Sequence, residues 1–507
     1  MNFLAYAVLA LCMLASARAQ ASPLFELVGG VGDQAGFGAR ESGGSAASAY
    51  FNPALLMNAQ PGFYTGFFLL NDQLAVALDG RSGVDVPAEY RGATHGDGSQ
   101  FQEHSVPTSW LQQGCKPPQC PLELPARPRQ GQSSSGNTTP YEAIGLVIPL
   151  VPKRLTFGFY GMIPLAQFTT AHAFFVDERE QFFTNSLHPE LYSDRLTATS
   201  LAFALGARIT RRFSVGVDVT LSLRNTAKAS TFVGSADDLS GTLLVSTDVS
   251  VKAALAPHFG AAYDITDRLH VAATLHTVQR FDIVESISTF LPNGDKQAAT
   301  RTTVHDYMPV RIGLGASCEV ITDGIAEPTD TNELALHAVA VLGLWSNYID
   351  RQDERPLADY PWRNTVSVGV GARHSYGHVR TFLDAMFVPT PVPLQTGRSN
   401  YVDNDRISTG AGFDYDFKVF EIHWRVGAQA QLHWLLERYQ HKLDPTDASQ
   451  SAHSSQLVRD EFPDDAIDSR GRPIPSSAGL QTNNPGWPGF ASSGMLIGGG
   501  INLALLL

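Results

Sequence analysis

Residues 196–224 alternate with period two through two successive runs. In the first, Leu201, Phe203, Leu205, Ala207 and Ile209 share one face, opposite Ser200, Ala202, Ala204, Gly206 and Arg208. A short turn, Thr210-Arg211-Arg212, leads to the second, where Phe213, Val215, Val217, Val219, Leu221 and Leu223 oppose Ser214, Gly216, Asp218, Thr220, Ser222 and Arg224. Side chains of a strand alternate between its two faces, so this reads as a hairpin with one apolar side and one small or charged side. The pattern recurs at 62–78, 140–150, 155–170, 243–263, 269–284, 302–320, 333–350, 364–374, 379–389, 405–417, 419–436 and 494–506. With the first pair this makes about fourteen strands, an even number.

The connections alternate as well. Tight turns such as Pro152-Lys153-Arg154 and Asp264-Ile265-Thr266-Asp267 take turns with polar loops at 79–139, 171–195, 225–242, 286–301, 351–363, 390–404 and 437–493. Short turns at one end and long loops at the other are the pattern of a transmembrane antiparallel barrel. Lipid leaves no water for unpaired backbone groups, so such a sheet must close on itself. A soluble sandwich has shorter strands and no such alternation. No segment beyond the N-terminus has the long apolar run of a transmembrane helix. The net charge of −13 argues against a nucleic-acid partner.

The first residues, MNFLAYAVLALCMLASARAQ, read as a signal peptide over 1–19: an apolar stretch from Phe3 to Leu14 precedes Ala17-Arg18-Ala19. No Lys or Arg precedes that stretch, and bulky Leu11 argues against Cys12 as a lipoprotein cysteine. Export would let Cys115 and Cys120 of the CKPPQC loop pair as a disulfide, with Cys318 free in a strand. CxxxxC without further Cys or His nearby is a poor metal site, and no metal or cofactor is expected.

Residues 20–60 precede the first strand and are rich in small residues, ending in SAASAYFNPALL. A fourteen-strand barrel has an open lumen, and small residues let a backbone pack closely against its wall. Pro53 fixes a bend and Asn52 can bond its own backbone in a turn. The segment reads as a plug inside a barrel formed by 61–507.

The alternation places Arg208, Asp218, Arg224, Lys252, Arg311, Arg373, Glu421, His423 and Arg425 in the lumen. On the strand at 419–436, Phe420, Ile422, Trp424, Val426, Ala428 and Leu432 face lipid, and Gln429, Gln431 and His433 face inward. A charge facing lipid at mid-depth costs roughly 2–4 kcal/mol, so the faces cannot be exchanged. The lumen charges form either a structural ion-pair network or, at one or two arginines, a seat for an anionic headgroup. In the loop at 171–192, Phe174, Phe175, Phe182, Phe183 and Leu187 fall near helical spacing. They form either a hydrophobic capture groove or the core of a loop that caps the barrel.

Several stretches together resemble the FadL family of outer-membrane transporters. SAASAYFNPALL resembles its N-terminal hatch; PHFGAAYDITDRLHVAATLHT (257–277) and MPVRIGLGASCEV (308–320) resemble mid-barrel strands. VPTPVPLQTGRSNYVDNDRISTGAGFDYDF (388–417) carries Pro-Val-Pro, Asp403-Asn404-Asp405-Arg406 and a Gly-rich strand in the family's order. The resemblance implies a fourteen-strand barrel with a movable hatch, containing Asn52, Pro53 and Ala54. It implies a bacterial outer-membrane channel, not an enzyme, for long-chain fatty acids or aromatic hydrocarbons. Its partners would be such hydrophobic ligands and the lipids around it, with the protein a monomer. Arg208, Arg224, Arg311 and Arg425 would meet a carboxylate if the substrate is a fatty acid. The chain ends at Leu507, whereas many outer-membrane barrels end in an aromatic residue, and loops 79–139 and 437–493 depart from the best-known members of the family. A surface scaffold built on the long loops is the alternative from another class. A hydrolase is disfavoured, since Gly43-Gly44-Ser45-Ala46-Ala47 lacks the last Gly of a nucleophile elbow. Asp403-Asn404-Asp405 lacks the spacing of a calcium loop.

Overall fold

A computed structural model describes residues 23–79, 131–165, 187–222, 226–234, 242–251, 255–290, 296–322, 332–358, 360–397, 399–443, 486 and 489–507. The proposed signal peptide, Cys115, Cys120, the four loop phenylalanines, Arg224 and Lys252 lie outside the described residues. Fourteen antiparallel strands close into a barrel. They are β1 (Gly62–Leu78), β2 (Gly131–Val151), β3 (Leu155–Pro164), β4 (Ser200–Arg208), β5 (Phe213–Ser222), β6 (Leu255–Asp264) and β7 (Leu269–His276). The other half is β8 (Arg311–Thr322), β9 (Asn332–Gly343), β10 (Thr365–Tyr376), β11 (Val379–Val388), β12 (Arg406–Val419), β13 (Ile422–His441) and β14 (Gly489–Leu506). β1 closes the ring by pairing with β14 from Gly62↔Leu506 to Leu78↔Phe490, which leaves no edge strand.

The apolar face points outward. Phe203, Leu205, Val368, Val370, Leu383, Ile501 and Leu503 are all exposed on the barrel wall. An apolar belt of this extent suits lipid and not water. The opposite face is buried: Ala202, Ala204, Asp218, Arg425, Gln429, Gln431 and His433 point into the lumen as their parity requires.

Three expected strands are shorter than the alternation suggests. Parts of 243–263, 269–284 and 302–320 leave the barrel and build a separate four-stranded sheet beyond the long-loop rim. It comprises Thr226–Gly234, Thr242–Val251, Gln279–Phe290 and Lys296–Met308, so most of the expected loops at 225–242 and 286–301 is hairpin. A strand paired outside the membrane keeps the same period, so periodicity cannot mark the rim. The expected loop at 79–139 is shorter too, because β2 pairs with β1 along its whole length from Gly131. The run at 333–350 ends as strand at Gly343, and a 3₁₀ turn follows at Trp345–Asn347.

The hairpin expected to turn at Lys418 turns at Phe420 and Glu421, whose φ values of 49° and 66° are those of a two-residue primed turn. Glu421 is therefore exposed and paired with Lys418 outside the lumen, and Phe420 is at the tip rather than on the lipid wall. His423 is exposed at the same rim.

Inside the ring lies the N-terminal segment. It consists of a short helix, α1 (Pro23–Val28), an irregular glycine-rich stretch, and two 3₁₀ turns at Ala46–Ala49 and Pro53–Asn58. The small residues Ala46, Ala47, Ser48 and Ala49 are all buried. Phe25 packs its ring against Tyr50 of the segment and Tyr160 of β3, with centroids 4.6 Å and 5.1 Å away. The main apolar core of the described residues is thus the interface between hatch and barrel wall.

Candidate functional site

Among the contacts that fix the hatch to the wall, three show how it is seated. At the first, Asn52 caps the turn, its Oδ1 accepting from the Ala54 amide at 3.2 Å with Pro53 following. This turn lies on a row of wall glycines in register, Gly206↔Gly216↔Gly260. A Cβ at Gly216 would stand 2.3 Å from the Pro53 carbonyl carbon, so only glycine admits the hatch backbone here.

At the second, Arg373 of β10 and Asp384 of β11 form a two-point buried pair at 2.5 and 3.2 Å. The same carboxylate accepts from the Phe37 amide at 2.9 Å, and Arg373 donates to the Ala35 carbonyl at 3.0 Å. The third is Arg425 of β13, which pairs with hatch Asp33 and with Asp416 (Nε–Oδ1 2.5 Å). Wall charges are thereby met by a hatch charge, Asp33, or by hatch backbone dipoles, which offsets the cost of removing them from water.

Above the hatch, towards the long-loop rim, is a cavity with about 820 Å³ of empty space, partly open to solvent. Leu27, Leu191, Met308, Val341, Trp345 and Met386 supply much of its apolar surface. Its roof is a packed cap of loop residues in which Tyr348 and Trp362 stack 3.6 Å apart. Residues 188–189 and 401–402 hold the cap with a short parallel bridge.

Four arginines among the described residues line this apolar space: Arg40, Arg195, Arg311 and Arg406. Only two carboxylates among the described residues, Glu26 and Asp403, line it with them. Arg195 pairs with Glu190 at 2.6 Å, both side chains fully buried. Arg40 and Arg311 share Glu26, and Arg311 also donates to the Tyr50 hydroxyl at 2.8 Å. Arg406 makes no ion pair among the described residues. It lies over the Tyr192 ring at 5.7 Å, and its buried Nε has no hydrogen-bond partner. Burial pushes the neighbouring Asp403 carboxyl up to about 7, against the opposing pull of the Thr390 hydroxyl and the Arg438 and Arg406 guanidiniums. Its Oδ1 is buried without a hydrogen-bond partner, which favours the protonated form. The cavity therefore combines an apolar body with excess positive charge, which suits an amphiphile carrying one negative group.

Of the arginines singled out in the sequence, Arg311 lines this cavity. Arg425 lies under the hatch, and Arg208 is at the short-turn rim with Nη2 2.5 Å from Asn58 Oδ1. Neither lines the cavity. Leu187 is fully buried in the main core. Cys318 is free and exposed. Sequence reasoning missed Arg406, although its parity with Ser408 and Gly410 places it in the lumen. It also missed Arg40 and Glu26, which belong to an irregular segment with no periodic signal.

No protein-family model and no curated protein matches the sequence. Among solved structures, a Pseudomonas aeruginosa FadL homologue is similar over 92% of this chain and 95% of its own, with 15% identity and a TM-score of 0.51. The P. putida toluene transporter TodX covers 96% of this chain and 99% of its own, at 11% identity and a TM-score of 0.44, too low to carry an argument. By fold, then, the chain is a FadL-type barrel, fourteen antiparallel strands closed around an N-terminal segment.

Proposed function

We propose that this protein is an outer-membrane channel for hydrophobic molecules, and that its upper cavity takes long-chain carboxylates such as fatty acids. The observation that carries the reading is Arg406, a buried guanidinium without an ion pair among the described residues, in an otherwise largely apolar cavity. A buried charge with no counter-ion is costly, and a ligand carboxylate would relieve that cost. The long-loop rim is then extracellular, and the hatch is the barrier below the ligand. Phe174, Phe175, Phe182 and Phe183 are proposed, from sequence alone, as a hydrophobic capture surface for the same ligand.

The test is binding of oleate and methyl oleate to the purified barrel, followed by the fluorescence of its tryptophans, among them Trp345 in the cavity. Oleate should bind about tenfold or more tightly than the ester, as a charge-assisted hydrogen bond of roughly 1.5–3 kcal/mol implies. Arg406→Met should remove most of that difference. Equal binding of acid and ester would point to a channel for neutral hydrocarbons. Binding of neither would remove the transport reading and favour a surface scaffold.

A further inference from the structure

A second cavity lies below the first, with about 890 Å³ of empty space, partly open to solvent, between the hatch and the short-turn ends of β8 to β11. Its lining mixes apolar residues with the polar Asp33, His337, Arg373 and Arg380. The two cavities have one lining residue in common among those described, Arg40 of the hatch. Its side chain is 3% exposed, and its one ion pair among the described residues is to Glu26 at 3.2 Å. That carboxylate is also the partner of Arg311. Its Nε is buried and has no hydrogen-bond partner.

We propose that Arg40 is the transfer residue of the channel: it takes the carboxylate of an amphiphilic ligand from the upper cavity and passes it to the lower one. This rests on the fatty-acid reading above. Arg40 and Arg311 share the Glu26 carboxylate, with the buried Glu41 carboxyl beside them, so an arriving ligand carboxylate competes with Glu26 for Arg40. The planar fork of arginine binds either carboxylate, and its long stem lets the head move while the hatch backbone stays fixed. The Phe51 ring, 5.6 Å from the guanidinium, gives the charge a further resting surface. In the lower cavity Arg373 is already paired with Asp384, and Arg380 with Asp33 and Asp416. Glu319 and Glu333 also line it. That cavity therefore offers an anion no strong trap, as an exit must. Neutral ligands need no such handover, so Arg40 sets specificity rather than simple passage.

The experiment compares full-length wild type, Arg40→Met and Arg40→Lys in lipid vesicles loaded with albumin. Equilibrium binding and transport are measured for oleate and methyl oleate. Loss of one charge-assisted contact on the path should lower the oleate-to-ester transport ratio about tenfold or more in Arg40→Met, with a smaller fall in oleate affinity. Arg40→Lys, which keeps the charge, should restore part of the ratio. An unchanged ratio would overturn the proposal. So would parallel falls in affinity and transport, because Arg40 would then belong only to the upper site. If Arg40→Met fails to insert, Glu26→Gln decides: it removes the competing carboxylate and should raise the ratio, and a fall would overturn the proposal. Absence of oleate binding by wild type would overturn the fatty-acid reading itself, and this inference with it.

Discussion

Gly216→Ala is the smallest change that should dislodge the hatch. The new Cβ would stand 2.3 Å from the Pro53 carbonyl carbon and 2.5 Å from the Ala54 nitrogen. Neither atom can swing aside, because the proline ring and the 3₁₀ turn fix both. On the far side, β5 is held by β4 and β6 through Gly206 and Gly260. The strain therefore falls on the hatch, at about 1–3 kcal/mol for one overpacked methyl. Without the hatch the sign reverses: alanine in a strand interior is favoured over glycine by about 0.5–1 kcal/mol. The assay is reversible denaturant unfolding in lipid vesicles, run on the full chain and on a chain lacking residues 23–58. The account predicts a coupling of about 1.5–4 kcal/mol between the substitution and the hatch, with destabilisation only when the hatch is present. Equal effects in both backgrounds, within about 0.5 kcal/mol, would refute the claim that this turn is seated on the glycine row.

Arg425→Met removes the buried counter-ion that Asp33 and Asp416 share and leaves them only the partly exposed Arg380, so the loss falls below the roughly 3–5 kcal/mol of a fully orphaned buried charge. Faster hydrogen exchange at the Gln34 and Phe37 amides, both now bonded to wall carboxylates, would report it, and unchanged exchange would contradict it. Asp403 gives a pH signature. Its pKa of about 7 lies above the ordinary aspartate value of 3.8, so the folded chain holds the extra proton. Its contribution to stability is full below about pH 4 and is lost as the pH rises through about 7. Ionised Asp403 also neutralises Arg406 and repels a ligand carboxylate, so oleate affinity should fall from pH 6 to pH 8. Asp403→Asn should flatten that profile. Arg406→Met should weaken oleate binding by about tenfold or more at either pH, measured by tryptophan fluorescence.

The barrel was legible because its physics is periodic. Leu201 to Arg208 and Phe213 to Ser222 alternate without a break, and all fourteen strands lie where such runs occur. Periodicity could not say where the membrane ends, so the hairpins at 226–251 and 279–308 were merged with barrel strands. The hatch was legible as composition: small residues, then Asn52-Pro53-Ala54. What the composition could not show was the matching glycines on the wall, which are distant in sequence and meet only when β4, β5 and β6 pair. The candidate site was legible in part. Arg311 follows from strand parity, and so would Arg406. Glu26 and Arg40 come from irregular backbone, where side-chain direction has no period.

Uptake of labelled oleate by cells that lack their own fatty-acid transporter tests the central claim most directly. The comparison is between the inserted wild-type barrel, the Arg406→Met barrel and no barrel, with toluene as the neutral control. The account predicts oleate uptake with wild type that falls to near background with Arg406→Met. Correctly inserted wild-type protein that leaves oleate uptake at background would contradict it.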